Sequence, residues 1–343
     1  MLKAVRVFVI WVVLAALAIC LVLSFLLSKY SLSVTHYELP LHSATNGVNA
    51  SSDADTTTPM NGANAANSMN GANAADAANG SNGSDSASGI RIVQLTDLHN
   101  SEFGPSNARL VSKVASQKPD LIFLTGDLLN SDQERTDVAV NLIGKLSQIA
   151  PTYISYGNHE AEYEEKYGTD LKPLYESAGG TVLDRSYVDI EVNGARLRIG
   201  GIYGYCLRPD LLDSGEAVPE EVHFLEDFQN TDRETMLLCH MPAAWLQWGS
   251  LDAYDIDTVW SGHVHGGQMI FPLIGGLYGP DFGWLPGRLQ GLYTSQDGSS
   301  TLILSRGLGN RDKIPRLNNI PEILVADMAA ADGPPQQGDL LHP

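Results

Sequence analysis

Carboxylate, imidazole and carboxamide groups recur directly after short apolar runs of this sequence. Five runs have the length and hydrophobicity of buried strands, and they are 91–96, 121–125, 152–156, 235–239 and 256–260. The polar residues that follow them are Asp97, His99, Asp127, Asn158, His159, His240, His263 and His265. Because open α/β sheets bind ligands at the carboxyl ends of their strands, we expect these side chains to meet at one edge of a sheet.

This combination of donors is typical of a divalent-metal site. Nitrogen and oxygen donors suit Zn, Mn or Fe, and the 3 cysteines are too few and too scattered for a thiolate site or a disulfide framework. One ion takes about four to six donors. Without His159, the residues named above still supply seven donors. The surplus indicates two ions about 3.5–4 Å apart, which would share a carboxylate and a water and support in-line displacement at phosphorus.

Each motif taken alone also has a structural explanation. An Asp-x-His pair commonly caps or pairs at a surface, and Gly-Asp or Gly-Asn after a strand commonly forms a turn. The segment Gly-His-x-His-Gly at 262–266 is more specific, since alternate residues of an extended segment place His263 and His265 on one side. The ordered set, with each motif after its own strand, indicates one shared site.

Two amphipathic stretches connect the first three predicted strands. Residues 107–117 and 137–149 carry aliphatic side chains at helical spacing. Strand, helix, strand, helix, strand is the pattern of right-handed parallel crossovers, so the sequence predicts an α/β fold.

The first thirty residues carry an apolar run long enough to cross a bilayer. Residues 7–27 contain no charge, and about 21 residues at about 1.5 Å each cover the roughly 30 Å hydrocarbon layer. No small-residue cleavage pattern follows closely, which favours a retained signal anchor at 1–30 over a cleaved signal peptide or a core helix. We therefore expect a single-pass protein of the cell membrane. Because Lys3 and Arg6 precede the run, the positive-inside rule predicts a cytoplasmic N-terminus and an extracytoplasmic catalytic domain. Lys29, on the other side of the run, counts against this charge bias.

Composition divides the rest of the chain. Residues 31–45 contain Val34, Tyr37 and Leu39 and form a possible first strand and tether. Residues 46–89 are almost entirely Asn, Ala, Gly, Ser, Asp and Thr, a composition that predicts disorder. We expect the catalytic domain at 90–328 and a flexible tail at 329–343.

The charge balance limits the partners of the protein. Its 40 acidic residues outnumber 21 basic ones, for a formal net charge of -19. Phosphate-backbone binding needs clustered Lys and Arg, so we expect no nucleic-acid partner. Composition leaves the oligomeric state open.

The order of motifs resembles that of the calcineurin-like metallophosphoesterases. Asp-x-His, Gly-Asp, Gly-Asn-His-Glu, His and Gly-His-x-His follow one another from about residue 90 to 325. Within that superfamily the C-terminal part, which includes Gly-Gly-Gln at 266–268 and Ser-Arg-Gly-Leu-Gly at 305–309, is similar to membrane-associated bacterial phosphoesterases. The resemblance implies a four-layer αββα sandwich of two mixed sheets, preceded here by one transmembrane helix, with a dinuclear site across the strand ends.

The resemblance also implies roles for the individual residues. Asp97, His99 and His265 would hold the first metal. Asn158, His240 and His263 would hold the second, and Asp127 would bridge the two. His159 would protonate the leaving oxygen, while Asn158 would also steady the phosphoryl group.

One residue departs from the pattern of many relatives. Three residues after the bridging carboxylate, where they have an Asp that orients the catalytic His, this chain has Asn130. An amide can accept a hydrogen bond from imidazole but stabilises imidazolium less than a carboxylate does. We therefore expect weaker general-acid catalysis by His159, or a substitute carboxylate from Asp132 or Glu160.

The function that follows is membrane-anchored, metal-dependent hydrolysis of phosphodiester, pyrophosphate or phosphomonoester bonds. The resemblance suggests phospholipids or UDP-diacylglucosamine-like envelope metabolites, and the apolar segment 271–285 is either a packed loop or a wall for such a lipid-linked phosphate. Two alternatives are a catalytically silent metal-binding protein with the same fold and a Ser/Thr protein phosphatase. The phosphatase would need a basic groove, for which Arg306 and Arg316 are the candidates.

Overall fold

The computed structural model describes residues 2–41, 89–287, 289–310 and 315–330. Nearly all of the segment predicted to be disordered, and the predicted tail beyond residue 330, lie outside these ranges. Within them the chain forms two six-stranded sheets, a small three-stranded sheet and the helices that cover them.

The first large sheet is mixed. Its strands, in spatial order, are β1 (Ser33–Leu41), β15 (Glu322–Ala330), β2 (Ile90–Leu95), β3 (Leu121–Thr125), β4 (Thr152–Ser155) and β5 (Gly180–Val182). β15 runs antiparallel to β2, and all other neighbours are parallel. β1 lies within the region predicted as strand and tether, and β15 includes the first two residues of the predicted tail.

The second large sheet is also mixed. Its strands, in spatial order, are β13 (Gly291–Thr294), β14 (Thr301–Leu304), β9 (Thr258–Ser261), β8 (Glu234–Cys239), β7 (Ala195–Ile202) and β6 (Ser186–Val192). The four central strands are parallel, and the two outer pairs are antiparallel. A separate antiparallel sheet contains β10 (Ile270–Phe271), β11 (Gly275–Gly279) and β12 (Gly283–Gly287).

Eight α-helices are present in the described ranges. They are α1 (Leu2–Tyr30), α2 (Ala108–Gln117), α3 (Asp137–Leu146), α4 (Asn158–Tyr167), α5 (Leu171–Ser177), α6 (Pro219–Gln229), α7 (Ala243–Gln247) and α8 (Ser250–Ala253). Among them α1 contains a span, Val9–Lys29, that is long and apolar enough to cross a membrane by its length and composition. α3 ends three residues earlier than predicted, and residues 147–149 form a turn instead of a further helical turn.

Three buried clusters make the layers. Phe123 of β3 meets Trp260 of β9 with ring centroids 5.1 Å apart, in the core between the two large sheets. Leu110 and Leu142 bring α2 and α3 onto the outer face of the first sheet, and Phe228 brings α6 onto the outer face of the second. This is the predicted four-layer αββα sandwich of two mixed sheets.

The predicted placement of the polar residues at one edge of one sheet is wrong. The five predicted strands exist within two residues of their expected bounds, but β2, β3 and β4 belong to the first sheet and β8 and β9 to the second. Apolar strands of similar length do not reveal which sheet they join. The polar side chains therefore converge from the strand ends of two facing sheets.

Candidate metal centre

The predicted site residues lie in turns that require unusual backbone conformations. Asp97, His99, Asp127, His263 and His265 all have positive φ, between 48° and 72°. Non-glycine residues rarely adopt this region, and such strain is concentrated at functional sites. The positive φ angles in 263–265 show that the Gly-His-x-His-Gly segment is not extended, so the expectation that its two imidazoles share one side for that reason is wrong.

The two imidazoles of that segment instead join different groups. Asp97, His99 and His265 form one group, in which His265 Nε2 is 3.5 Å from Asp97 Oδ1 and 3.2 Å from His99 Nε2. Asp127, His240 and His263 form another. In each group the potential ligand atoms lie within 4.8 Å of one another.

Asp127 of the second group also faces the first. Its Oδ2 is 3.1 Å from His240 Nε2 and 3.7 Å from His99 Nε2. Because these imidazoles belong to different groups, a single carboxylate faces both. This arrangement is what a carboxylate shared by two ions requires.

The chemistry of the free donor atoms also fits metal binding. Oδ1 of Asn158 is buried and has no hydrogen-bond partner in the described structure, although buried polar atoms are normally satisfied. Nδ1 of His240 lies 2.6 Å from the carbonyl oxygen of Thr125, so this nitrogen donates and Nε2 is the nitrogen that faces Asp127, at 3.1 Å. Asn158 and His240 thus each direct one oxygen or nitrogen atom into the site.

The structure corrects the expected role of Asn130. Its Oδ1 is 3.0 Å from Nδ1 of His99, and its Nδ2 donates to the His99 carbonyl oxygen at 3.1 Å. The amide therefore orients a predicted metal ligand rather than the predicted general acid. The reason is local: Asn130 reaches back toward the turn after β2, whereas His159 starts the helix after β4.

The backbone of Ser131 orients His159 instead. Its N–H donates to His159 Nδ1 at 3.0 Å, and its hydroxyl lies 3.0 Å from the same nitrogen. Because an N–H can only donate, Nδ1 carries a lone pair and the ring proton is on Nε2. A buried His159 with this tautomer presents a proton donor from its far nitrogen.

The two carboxylates proposed as substitutes do not take this role. Glu160 accepts hydrogen bonds from the backbone N–H groups of Asp127, Leu128 and Gly157 at 2.8–2.9 Å, so it fixes the turns after β3 and β4 to each other. Burial, and then the charge of Asp127, raise the pKa of Glu160 to about 7. Asp132 is exposed.

Two further neighbours of the candidate ligands escaped prediction. Asp281 Oδ2 lies 3.5 Å from His263 Nε2, and the hydrogen bond from His263 lowers the pKa of Asp281. A carboxylate on the far nitrogen of a ligating imidazole is a common feature of metal sites. The signal in the sequence is that Asp281 is the only charged residue between 270 and 287.

Arg316 is the second of these neighbours. Its Nη2 is 3.2 Å from His265 Nδ1, and Asn319 Nδ2 donates to the His265 carbonyl oxygen at 2.7 Å. A metal on Nε2 of His265 would leave a proton on Nδ1, opposite this guanidinium donor. Arg316 is therefore the neighbour that must shift for His265 to act as a ligand.

Burial and charge pairing dominate the electrostatics. Burial raises the pKa of Asp97. Burial would also raise the pKa of Asp127, but the neighbouring His240 and His99 hold it well below its ordinary value. Against the effect of burial, Asp127 and then Asp97 raise the pKa of His240 to about 10. Two buried carboxylates thus depend on nearby positive charge, which divalent ions would supply.

A cleft of about 50 Å³ gives access to the site. It is lined by His99, Asp127, Asn158, His159, His263, His265, Gln268, Tyr278 and Pro280. Neither Lys nor Arg is among these described lining residues. All the predicted site residues except Asp97 and His240 reach this surface, and those two are fully buried behind it.

Comparison with known proteins identifies the family of this chain. The family profile of the calcineurin-like phosphoesterases matches residues 90–267, just over half of the chain. The uncharacterized metallophosphoesterase YkuE of Bacillus subtilis is 28% identical to it, over 69% of this chain and 78% of that protein. Phosphodiesterase YaeI of Escherichia coli is 26% identical, over 69% of this chain and 82% of that protein.

More distant likenesses extend over part of the chain. A transmembrane protein with metallophosphoesterase domain from Danio rerio is 30% identical, over 54% of this chain and 42% of that protein. The crystal structure of a 5'-nucleotidase precursor from Thermus thermophilus aligns with 71% of this chain and 54% of that one, at 13% identity and a TM-score of 0.40. From the family match and the buried His and Asp clusters, this chain belongs to the calcineurin-like phosphoesterases and is a metal-dependent phosphoric ester hydrolase with a dinuclear divalent-metal centre.

Proposed function

We propose that this enzyme hydrolyses the phosphodiester bond of a lipid-linked substrate at the membrane to which α1 anchors it. The observation that carries this proposal is an apolar wall beside the metal centre. Tyr278 and Pro280 line the cleft, and the Tyr278 ring packs on exposed Trp284 with centroids 5.2 Å apart. Phospholipids and UDP-diacylglucosamine-like molecules are the substrate classes we propose.

We assign the metal ligands by the two groups described above. Asp97, His99 and His265 would hold one ion, Asn158, His240 and His263 would hold the other, and Asp127 would be shared by both. A pair of divalent ions supplies a bound water of lowered pKa and neutralises charge that develops on the phosphoryl oxygens. The Nε2–H of His159 would donate a hydrogen bond to the leaving oxygen as negative charge develops on it, and Asn158 would also orient the phosphoryl group.

The charge of the cleft favours a diester over a monoester. A monoester carries close to two negative charges at neutral pH, whereas a diester carries about one. With no Lys or Arg among the described lining residues, the smaller charge is the easier one to accommodate. Phosphodiesterase activity is also the one named for the Escherichia coli relative.

The two arginines that a protein phosphatase could use are engaged elsewhere. Arg306 donates to Glu322 Oε1 at 3.0 Å. Arg316 is buried and donates to the carbonyl oxygens of Gly309 and Arg306 at 2.8 Å. These contacts support a small or lipid-linked phosphate over a phosphorylated protein as the substrate.

The proposed topology is a cytoplasmic N-terminus with the catalytic domain outside, supported by Lys3 and Arg6 before the apolar run. Ser299 is exposed in the turn between β13 and β14 and can report the side. In intact cells, a membrane-impermeant thiol reagent should label Ser299→Cys; labelling only after lysis would reverse the orientation.

Hydrolysis of a bis-aryl phosphate diester, measured beside its aryl monoester, tests the reaction. Wild-type protein supplied with Mn, Zn or Fe should cleave the diester faster. Asp127→Asn should lower the rate at least about a hundredfold. The exposed control Asp132→Asn should keep the wild-type rate. Metal-loaded protein inactive on both esters would indicate a binding role, and cleavage of the monoester alone would contradict the diester assignment.

The lipid part of the proposal has a separate test. Trp284→Ser should reduce hydrolysis of phospholipid vesicles by more than hydrolysis of the soluble diester. Equal effects on the two substrates would exclude a role of the apolar wall in recognising lipid.

A further inference from the structure

The small sheet exposes an apolar surface on one side of the catalytic cleft. We define the hairpin surface as Leu273, Ile274, Trp284 and Leu285, of which Leu273 is fully exposed and the others are 56–69% exposed. Within 270–287 Asp281 is the only charged residue. Several large apolar side chains exposed on one short sheet are uncommon on proteins that act without a partner, so this surface indicates a binding partner.

Both leucines of the hairpin surface also have strained backbones. Leu273 has φ 70° and Leu285 has φ 54°, in the left-handed region that non-glycine residues rarely adopt. Both side chains are nevertheless large, apolar and exposed. Contacts outside the domain can compensate for such strain.

The structure also connects this surface to the apolar helix α1. The backbone N–H of Asn318 donates to Ser24 Oγ in α1 at 2.8 Å, and its side-chain Nδ2 donates to the carbonyl oxygen of Ile270 in β10 at 3.1 Å. One residue later, the N–H of Asn319 donates to Ser28 Oγ at 3.1 Å. A single asparagine thus connects the apolar span to the strand that leads into the hairpin surface.

This connection sets the depth of the hairpin relative to the span. Ser24 lies five residues before Lys29, at which the apolar span ends. Five residues of helix rise about 7.5 Å, and interfacial segments bury their apolar face about 5–10 Å into the boundary between headgroups and acyl chains. The strand beside Ser24 therefore lies at the level at which a membrane-surface element sits.

We propose that the hairpin surface docks into the bilayer interface beside α1. The occupant of the surface is the boundary between lipid headgroups and acyl chains. Leu273, Ile274 and Leu285 enter the apolar side, and Trp284 takes the interfacial position that its amphipathic ring favours. This inference rests on the membrane anchoring proposed above and adds a second contact to it.

The docked hairpin determines where the catalytic cleft opens. Tyr278 packs on Trp284 and lines the cleft, and Asp281 of the same sheet contacts His263. A single short sheet therefore contacts both the bilayer and the metal centre. Its docking holds the cleft at headgroup level, where the phosphate of a lipid lies.

Fluorescence of a label placed at residue 273 tests the docking directly. The full chain, with Cys20→Ala and Leu273→Cys, is labelled with an environment-sensitive fluorophore and reconstituted into phosphatidylcholine vesicles; Leu273 is fully exposed, so the change does not affect packing. The matched control carries Ser299→Cys, in an exposed turn at the opposite end of the second sheet. The label at 273 should emit at shorter wavelength and be quenched by doxyl lipids, and the label at 299 should be quenched only by aqueous iodide.

Flotation of the same vesicles separates the two proposals. Protein that fails to float with the vesicles would overturn the anchor and this inference with it. Protein that floats, but whose label at 273 is quenched by iodide as strongly as that at 299 and not by doxyl lipids, would overturn the docking alone. A third outcome is that chemical cross-linking captures a dimer in detergent micelles and that the label at 273 is shielded from iodide in this dimer. A second copy of the chain would then be the occupant of the hairpin surface, and this result would also overturn the docking.

Discussion

At the scale of single residues, Asn130 and Ser131 each fix the orientation of one buried imidazole. The side chain of Asn130 is bonded to His99, and the backbone of Ser131 is bonded to His159. The family resemblance identified Asn130 as unusual and assigned its position to His159, because a motif pattern does not show toward which turn an amide reaches. The two neighbours therefore affect different properties of the enzyme, metal affinity and proton donation.

Asn130→Ala should weaken metal binding without removing the reaction. The substitution deletes the acceptor at His99 Nδ1, and losses of about 10–100-fold in metal affinity are typical of such partners. Titrations of activity against metal concentration should show a higher half-saturation point and a normal rate at saturation, with Asn130→Asp restoring the affinity. If the rate stayed low at saturating metal, most of all for poor leaving groups, Asn130 would act on the proton donor His159 and not on His99.

His159→Ala should reduce turnover according to the leaving group. The ring presents an Nε2 proton at the cleft, so its loss should cost at least about tenfold for esters with poor leaving groups and less for activated aryl esters. Rates across a series of leaving groups give this dependence. Ser131→Ala is the control, because it retains the backbone N–H that fixes the tautomer. An unchanged rate for poor leaving groups would remove His159 from the mechanism.

At the scale of elements, the turn after β3 depends on a glycine. Gly126 has φ 86°, and a Cβ there would lie 2.5 Å from the backbone nitrogen of Gly157 and 2.8 Å from His240 Nδ1. The turns after β3 and β4 therefore touch, and this contact places Asp127 beside Asn158. The Gly-Asp and Gly-Asn pairs in the sequence reflect this close approach.

Gly126→Ala should lower both stability and metal content. Left-handed backbone for alanine costs about 1–2 kcal/mol, and overpacking adds about 1–3 kcal/mol. Gly168→Ala is the matched control, since Gly168 has φ 66° but nothing within 4 Å of the added Cβ. Denaturant unfolding should show the larger loss for Gly126→Ala, and equal losses would mean that the two turns are not in contact.

Secondary-structure elements with a clear hydrophobic pattern in the sequence were predicted best. Buried strands of β-branched and aliphatic residues were predicted within two residues, because burial on both faces leaves a continuous apolar run. The turn at 262–266 was predicted as extended although it is not, because His263 and His265 adopt left-handed backbone angles that residue type does not predict. His263 and His265 were still identified, since their types and spacing did not depend on that geometry.

At the scale of the whole molecule, the segment that follows α1 is part of the catalytic domain. β1 pairs with β15 along its full length, from Ser33 opposite Glu322 to Leu41 opposite Ala330. Leu39 and Leu41 are buried in the core between the two large sheets. The apolar helix is thus joined to the fold by two residues, 31 and 32, rather than by a long tether.

Leu41→Ala should destabilise the catalytic domain. The side chain is fully buried, and truncation of a buried leucine costs about 2–5 kcal/mol. Thermal or denaturant unfolding of the full chain in detergent measures the loss, with exposed Glu38→Ala in the same strand expected within about 0.5 kcal/mol of wild type. If Leu41→Ala left the stability to unfolding unchanged, this segment would be a tether and not a strand of the core.

Long-range pairing was the part of the architecture that the residues alone did not specify. β1 and β15 are separated by most of the chain, and β2, β3, β8 and β9 give no local sign of which sheet they enter. The two-sheet arrangement followed from the family resemblance. The candidate site residues could be chosen from the sequence because they are recognisable by type, whereas Asp281 and Ser131 are recognised only once the structure shows their positions beside His263 and His159.

The metal content of the protein tests the central claim most directly. Chain purified with Mn should contain two ions and show the electron paramagnetic resonance of a spin-coupled pair, because Asp127 faces both groups of ligands. Asp127→Ala should lose the coupling and give the spectrum of isolated Mn. One ion per chain at saturation, or two uncoupled ions in the wild type, would contradict a dinuclear centre bridged by Asp127.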